Sequence, residues 1–224
     1  MTGPVSLSLK HRLRRPKAGT GKPPLLLLLH GVGSNEDDLF ELERELDPRF
    51  VVVSARGPHT LRPGSYAWFE VQFGPNGPII NPQQAEASRL HLLTFMAEAI
   101  NAYDTDPAQV YLLGFSQGAI MSASVALTAP ERMAGAVLMS GRILPEIQDK
   151  LAPREQLARL PIFLIHGTDD ATLPIAYGRA SCDLLTGLGV NLRYREFRMG
   201  HQVTAASLAE VNAWLAERLK AGVV

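Results

Sequence analysis

The stretch Leu112-Leu113-Gly114-Phe115-Ser116-Gln117-Gly118-Ala119 sets a serine between two glycines, at the point where an apolar run gives way to a helical pattern. Val110-Tyr111-Leu112-Leu113 reads as a short buried strand, and the alanine-rich segment from Ala119 to Ala129 reads as a helix that stops before Pro130. A strand that turns directly into a helix needs glycine on either side of the turn, because neighbouring backbone passes where a Cβ would stand. The turn therefore demands a layered α/β fold and leaves one serine at its tip.

Gly-x-Ser-x-Gly in that setting is the pattern of a nucleophile elbow, with the helix N-terminus turned toward developing negative charge. A serine hydroxyl reacts only when a base takes its proton, and the usual base is an imidazole held by a carboxylate. After such an elbow the chain order is serine, acid, histidine. Downstream of Ser116 there are two histidines, His166 and His201. His166 ends the apolar run Ile162-Phe163-Leu164-Ile165 and precedes an acidic loop with Asp169 and Asp170, so only His201 follows an acid. Chain order thus makes His201 the base and leaves Asp169 and Asp170 both open as the acid.

Oxyanion stabilisation calls for two backbone N–H donors. The residue after the nucleophile, Gln117, supplies one. The run Leu25 to Leu29 discharges into His30-Gly31-Val32-Gly33-Ser34-Asn35, and the Val32 N–H is the candidate for the other. Gly31-x-Gly33 is not a dinucleotide fingerprint, since Glu36 stands where the third glycine belongs. His30 is expected to support this loop by hydrogen bonding, and His11, His59 and His91 lack metal-ligand spacing with an acid.

With these residues in family order, the chain resembles the phospholipase/carboxylesterase, or acyl-protein-thioesterase-like, family of α/β-hydrolases. The likeness rests on His30-Gly31-x-Gly33-Ser34-Asn35, Tyr66-Ala67-Trp68-Phe69, Gly114 to Ala119, Ser140-Gly141, His166-Gly167-x-x-Asp170-x-x-Leu173-Pro174 and Gly200-His201. It covers nearly the whole chain. The resemblance selects Asp170 over Asp169, because the family's acid follows the histidine of His-Gly by four residues. It implies an α/β-hydrolase fold without a large cap, hydrolysis of carboxylic esters, in some members lysophospholipids or thioesters, and no metal or organic cofactor. Arg198, ahead of Met199-Gly200-His201, departs from the family's usual pattern.

Strand and helix patterns alternate. Strands are expected at 25–29, 50–54, 110–115, 134–139, 162–166 and 191–197, with an edge strand from Val5 to Leu13. Helices are expected near 36–46, 83–103, 116–129, 175–187 and 202–220. This predicts a mostly parallel central sheet with helices on both faces, and no linker or repeat divides residues 1–224 into more than one domain. The segment from Arg56 to Asn81 is rich in proline and glycine and too long for an ordinary connection. It carries Tyr66, Trp68, Phe69 and Phe73, and Trp68 and Phe69 are expected to line the acyl pocket. The stretch 141–160 offers Ile143 and Leu144 as the facing wall, with Leu173 beside the acid.

The chain's 22 basic and 22 acidic residues cancel, so no global field attracts nucleic acid or an anionic membrane. No apolar run reaches membrane-span length, and stable membrane insertion is not expected. The N-terminus lacks the pattern of a signal peptide. One cysteine, Cys182, excludes an internal disulfide framework and makes a reducing, cytoplasmic setting the default. A small ester is the expected partner, and the oligomeric state, a homodimer included, is left open.

Overall fold

The computed structural model describes residues 7–17, 21–74 and 77–221. In chain order the elements are β1 (His11–Arg14), β2 (Leu25–Leu29), β3 (Val51–Ala55), β4 (His59–Arg62), β5 (Ser65–Ala67), β6 (Val71–Gly74), β7 (Gly77–Ile80), α1 (Pro82–Tyr103), β8 (Val110–Phe115), α2 (Gln117–Thr128), β9 (Gly135–Met139), α3 (Arg154–Leu157), β10 (Pro161–Gly167), α4 (Ile175–Leu188), β11 (Asn191–Phe197) and α5 (Ala205–Ala221). Short 3-10 turns lie at Leu39–Arg44, Pro130–Arg132 and Pro145–Lys150.

Seven strands form the central sheet in the order β1-β3-β2-β8-β9-β10-β11. All neighbours are parallel except β1, which runs antiparallel to β3. This is the α/β-hydrolase architecture. Its inner strands are apolar on both faces because both faces are covered. Leu25, Leu27 and Leu29 join the core under α1 and α2, while Leu26 and Leu28 join the core under α5. The same alternation continues on β8, where Leu112 faces one layer and Tyr111 and Leu113 the other.

Helix α2 lies in the middle of the layers, with every residue from Gln117 to Leu127 buried. Its unbroken run of small and apolar residues follows from having no solvent face. By contrast, α5 begins at Ala205 only after Thr204 and Ser207 have exchanged reciprocal hydrogen bonds, 3.0 Å for Thr204 N–H to Ser207 Oγ and 3.2 Å for Ser207 N–H to Thr204 Oγ1. That cap starts the helix three residues later than the expected 202, which leaves His201 on a loop.

Three expectations change. The edge strand is confined to His11–Arg14, because β3 offers only a short partner, and Val5 lies outside the described residues. The expected helix at 36–46 is a 3-10 turn over Leu39–Arg44. The irregular segment 56–81 contains two small antiparallel hairpins, β4–β5 and β6–β7. Their strands are three or four residues long, too short to show as periodicity in the sequence.

Candidate active site

Parallel strands of an α/β sheet place functional loops at their C-terminal ends. Ser116 follows β8 there, with φ of 54° and ψ of −118°, outside the regions ordinary L-residues occupy. The strain is held by packing on both sides. A Cβ on Gly118 would overlap the Leu29 carbonyl, and one on Gly114 would overlap the Gly118 carbonyl, so β2, β8 and α2 meet at contact distance only because both positions are glycine. This sets the largely buried serine at the strand end, where it lines a cleft.

His201 bridges the two other groups singled out by the sequence. Its Nδ1 lies 2.7 Å from Asp170 Oδ2 and its Nε2 lies 2.8 Å from Ser116 Oγ. Asp170 Oδ1 accepts the N–H groups of Thr172 at 2.9 Å and Leu173 at 2.8 Å, so the carboxylate is buried and fixed in rotation. Asp169 turns outward, where the Thr168 hydroxyl reaches its Oδ1 at 3.3 Å. Of the two acids that chain order left open, Asp170 therefore contacts the imidazole.

Two backbone hydrogen bonds lace the acid loop to the histidine loop, from Thr168 N–H to the Phe197 carbonyl at 2.8 Å and from Asp169 N–H to the Met199 carbonyl at 3.1 Å. They extend the β10–β11 pairing beyond the strands and bring residues far apart in sequence into register. Phe115 flanks the imidazole, its ring centroid 4.9 Å from that of His201. The other downstream histidine, His166, is buried and its Nε2–H donates to the Leu173 carbonyl at 2.7 Å, steadying the acid loop from below.

The N–H groups of Val32 and Gln117 have no hydrogen-bond partner among the described residues, and both residues line the cleft that Ser116 and His201 share. The Gly31-Val32 turn is held by His30, whose Nδ1–H donates to the Gly31 carbonyl at 2.7 Å while its Nε2 accepts the Gly57 N–H at 2.9 Å. Burial pushes the His30 imidazole below its ordinary value of 6.5, and a neutral ring is what this donor-acceptor pairing requires.

The cleft has a volume of about 180 Å³. Phe69 and Leu173 line it, as expected, together with Val71, Pro78 and Ile80 of the β6–β7 hairpin, Ile120, Thr172 and Arg142. Trp68 does not line it. The indole is fully buried against His30, and its Nε1–H donates to the His30 carbonyl at 3.0 Å, so Trp68 props the loop that carries Val32. Leu144 is also displaced from its expected place, into a separate depression with Pro82, Ala85 and Arg89. Arg198 is exposed and absent from the cleft wall, so the charge near the site comes from Arg142 instead. A charged residue directly after Ser140-Gly141 and ahead of Ile143-Leu144 was the available signal for it. Phe73 lies on β6.

The phospholipase/carboxylesterase family model matches residues 17–219. The chain belongs to that family. Among curated proteins it is similar to acyl-protein thioesterase 1 of Gibberella zeae, at 28% identity over 159 residues covering 68% of each chain. It is also similar to carboxylesterase SOBER1 of Arabidopsis thaliana, at 27% identity over 209 residues covering 87% of this chain and 90% of the other. Among solved structures, the Bacillus cereus carboxylesterase superposes with a TM-score of 0.81 at 28% identity, covering 94% of this chain and 95% of that one. As a member of this family the chain is a hydrolase of the esterase type. Among the described residues, no helix is long and apolar enough to cross a membrane.

Proposed function

We propose that the protein is a serine carboxylesterase that works through an acyl-enzyme, with Ser116 as nucleophile, His201 as base and Asp170 as its orienting acid. The observation that carries this reading is the His201 imidazole bridging Asp170 at 2.7 Å and Ser116 at 2.8 Å. An ionised carboxylate only accepts, so Nδ1 carries the proton and Nε2 presents its lone pair to the Ser116 hydroxyl.

Attack by Oγ on the ester carbonyl passes the serine proton to Nε2 and places negative charge on the carbonyl oxygen. The free N–H groups of Val32 and Gln117 are the donors for that oxyanion, worth about 10²–10³ in rate for each donor in comparable sites. The imidazolium, stabilised by Asp170, then gives its proton to the leaving alcohol. Water repeats the sequence in the second half, and the carboxylic acid leaves.

Labelling of the protein by a fluorophosphonate, together with turnover of 4-nitrophenyl acetate and butyrate, tests the mechanism. Ser116→Ala is expected to abolish labelling and to lower turnover by about 10⁴-fold or more while the fold is retained. Undiminished turnover in that variant refutes the assignment. Thioester and lysophospholipid hydrolysis use the same triad with a different leaving group, and a panel of esters and acyl-thioesters graded by acyl length, with a lysophospholipid beside it, separates them from simple ester hydrolysis. The likeness to a thioesterase supports including that panel.

A further inference from the structure

The cleft beside Ser116 is walled by apolar side chains, yet one permanent cation stands in it. Arg142 lines the cleft with Val32, Ile120 and Leu173. It is brought there by the turn after β9. Gly141 packs directly on the elbow, where an added Cβ would lie 2.7 Å from the Ala119 Cβ and 3.2 Å from the Ser116 carbonyl oxygen. Arg142 therefore leaves the backbone one residue from the nucleophile's own peptide.

The surroundings do not neutralise it. Among the described residues, no carboxylate pairs with Arg142, and its Nε is buried without a hydrogen-bond partner. Its guanidinium carbon lies 5.9 Å from the centre of the Tyr177 ring, which flanks the cation without cancelling its charge. Two other arginines packed against the fold are treated differently, whereas Arg218, whose Nε is likewise buried without a partner, lies away from the cleft. Arg89 is engaged by Glu86 through two 2.8 Å hydrogen bonds, and Arg56 is engaged by Glu36 in the same forked way. A half-desolvated guanidinium with no counter-charge is costly unless an anion arrives with the ligand.

We propose that Arg142 is a specificity-determining residue that receives an anionic group of the substrate, a carboxylate or a phosphate, joined to the reacting ester by a short apolar spacer. The planar fork of donors matches either anion. The neutral walls supplied by Val71, Pro78 and Ile80 suit the spacer. This proposal rests on the serine-esterase reading and narrows its substrate class.

The test compares kcat/KM within pairs of esters that differ at the anionic group. On the acyl side, 4-nitrophenyl hemiglutarate is paired with 4-nitrophenyl 5-methylhexanoate. On the alcohol side, butyryl glycolate is paired with isobutyl butyrate, and butyryl glycerol phosphate with butyryl glycerol. In the wild type at low salt, the charged member of at least one pair is expected to be favoured by about tenfold or more. That ratio falls toward unity in Arg142→Met, whatever happens to the absolute rates, and is partly kept in Arg142→Lys. Added salt lowers it in the wild type and leaves it unmoved in Arg142→Met. The glycolate and phosphate arms decide between the two anions.

A wild-type ratio near one in every pair overturns the proposal, as does an equal loss on both members of a pair in Arg142→Met. Failure of the esterase reading is distinguishable from either result. It shows as no turnover of any ester, neutral ones included. Binding is then read in Ser116→Ala, where monomethyl glutarate is expected to raise the melting temperature and where adding Arg142→Met removes the rise. No rise in Ser116→Ala refutes the anion site independently of chemistry.

Discussion

The side chain of Gln117 holds the backbone of Trp68 by accepting its N–H at 2.7 Å, and with its other end donates to the Phe69 carbonyl, also at 2.7 Å. One residue thereby lines the cleft beside Ser116 and clamps the loop that forms part of the cleft wall. The amide is buried, and both of its ends are satisfied. Sequence reasoning assigned Gln117 only its backbone donor.

Gln117→Leu keeps the N–H but leaves the Trp68 N–H and the Phe69 carbonyl buried without partners. Each such loss costs about 1–3 kcal/mol. The expected outcome is a markedly lower melting temperature together with weaker substrate binding as Phe69 loosens. Gln117→Glu can still accept from Trp68 but repels the Phe69 carbonyl, and should fall between. Thermal unfolding and steady-state kinetics on the two variants check this; unchanged stability in Gln117→Leu would mean that the clamp contributes nothing.

Trp68→Ala removes a fully buried indole and its hydrogen bond to the His30 carbonyl. A loss of about 3–5 kcal/mol is expected from cavity formation alone. Because the indole does not reach the cleft, the ratio of kcat/KM between long and short acyl esters should stay nearly constant. Phe69→Ala, at the cleft wall, should instead change that ratio. The comparison of acyl-length profiles in the two variants decides whether the loop's aromatics divide the work in this way.

Asp170→Asn preserves shape but presents the His201 Nδ1 with an uncertain partner, and its amide can force the wrong tautomer. A fall in kcat of about 10³ to 10⁴ is expected. Asp169→Asn should lie near wild type, since the Asp169 side chain is exposed and, among the described residues, hydrogen-bonds only the Thr168 hydroxyl. Kinetics at saturating ester, above the pH at which imidazole protonates, measure both. A crippled Asp169→Asn beside a normal Asp170→Asn would refute the assignment.

His30 predicts a pH dependence of stability. Burial holds its folded-state pKa below the 6.5 of an unfolded histidine, so the unfolded chain binds the proton more readily between those values. Stability is fully present above about 6.5 and is lost as pH falls from there toward the folded pKa. His30→Gln lacks this proton linkage. The gap in melting temperature between wild type and variant should therefore narrow as pH is lowered from about 8 to about 5. A gap that widens on acidification would mean that the folded state prefers the charged ring.

The sequence by itself determined the features that arise from local sterics and periodicity. Glycines around Ser116 specified the elbow because only a missing Cβ lets α2 meet β2, and doubly buried strands such as Leu25–Leu29 were legible as unbroken apolar runs. Chain order singled out His201 from the two downstream histidines as the candidate base. Tertiary structure decided which of two adjacent aspartates faces it, since that depends on how the loops after β10 and β11 are laced together across the sheet end. It also sent Trp68 beneath the Gly31-Val32 turn, Leu144 to another surface and Arg142 into the cleft. A side chain's polarity shows whether water or apolar neighbours suit it, but the wall it joins is set by the docking of distant segments, and neither composition nor spacing encodes that geometry.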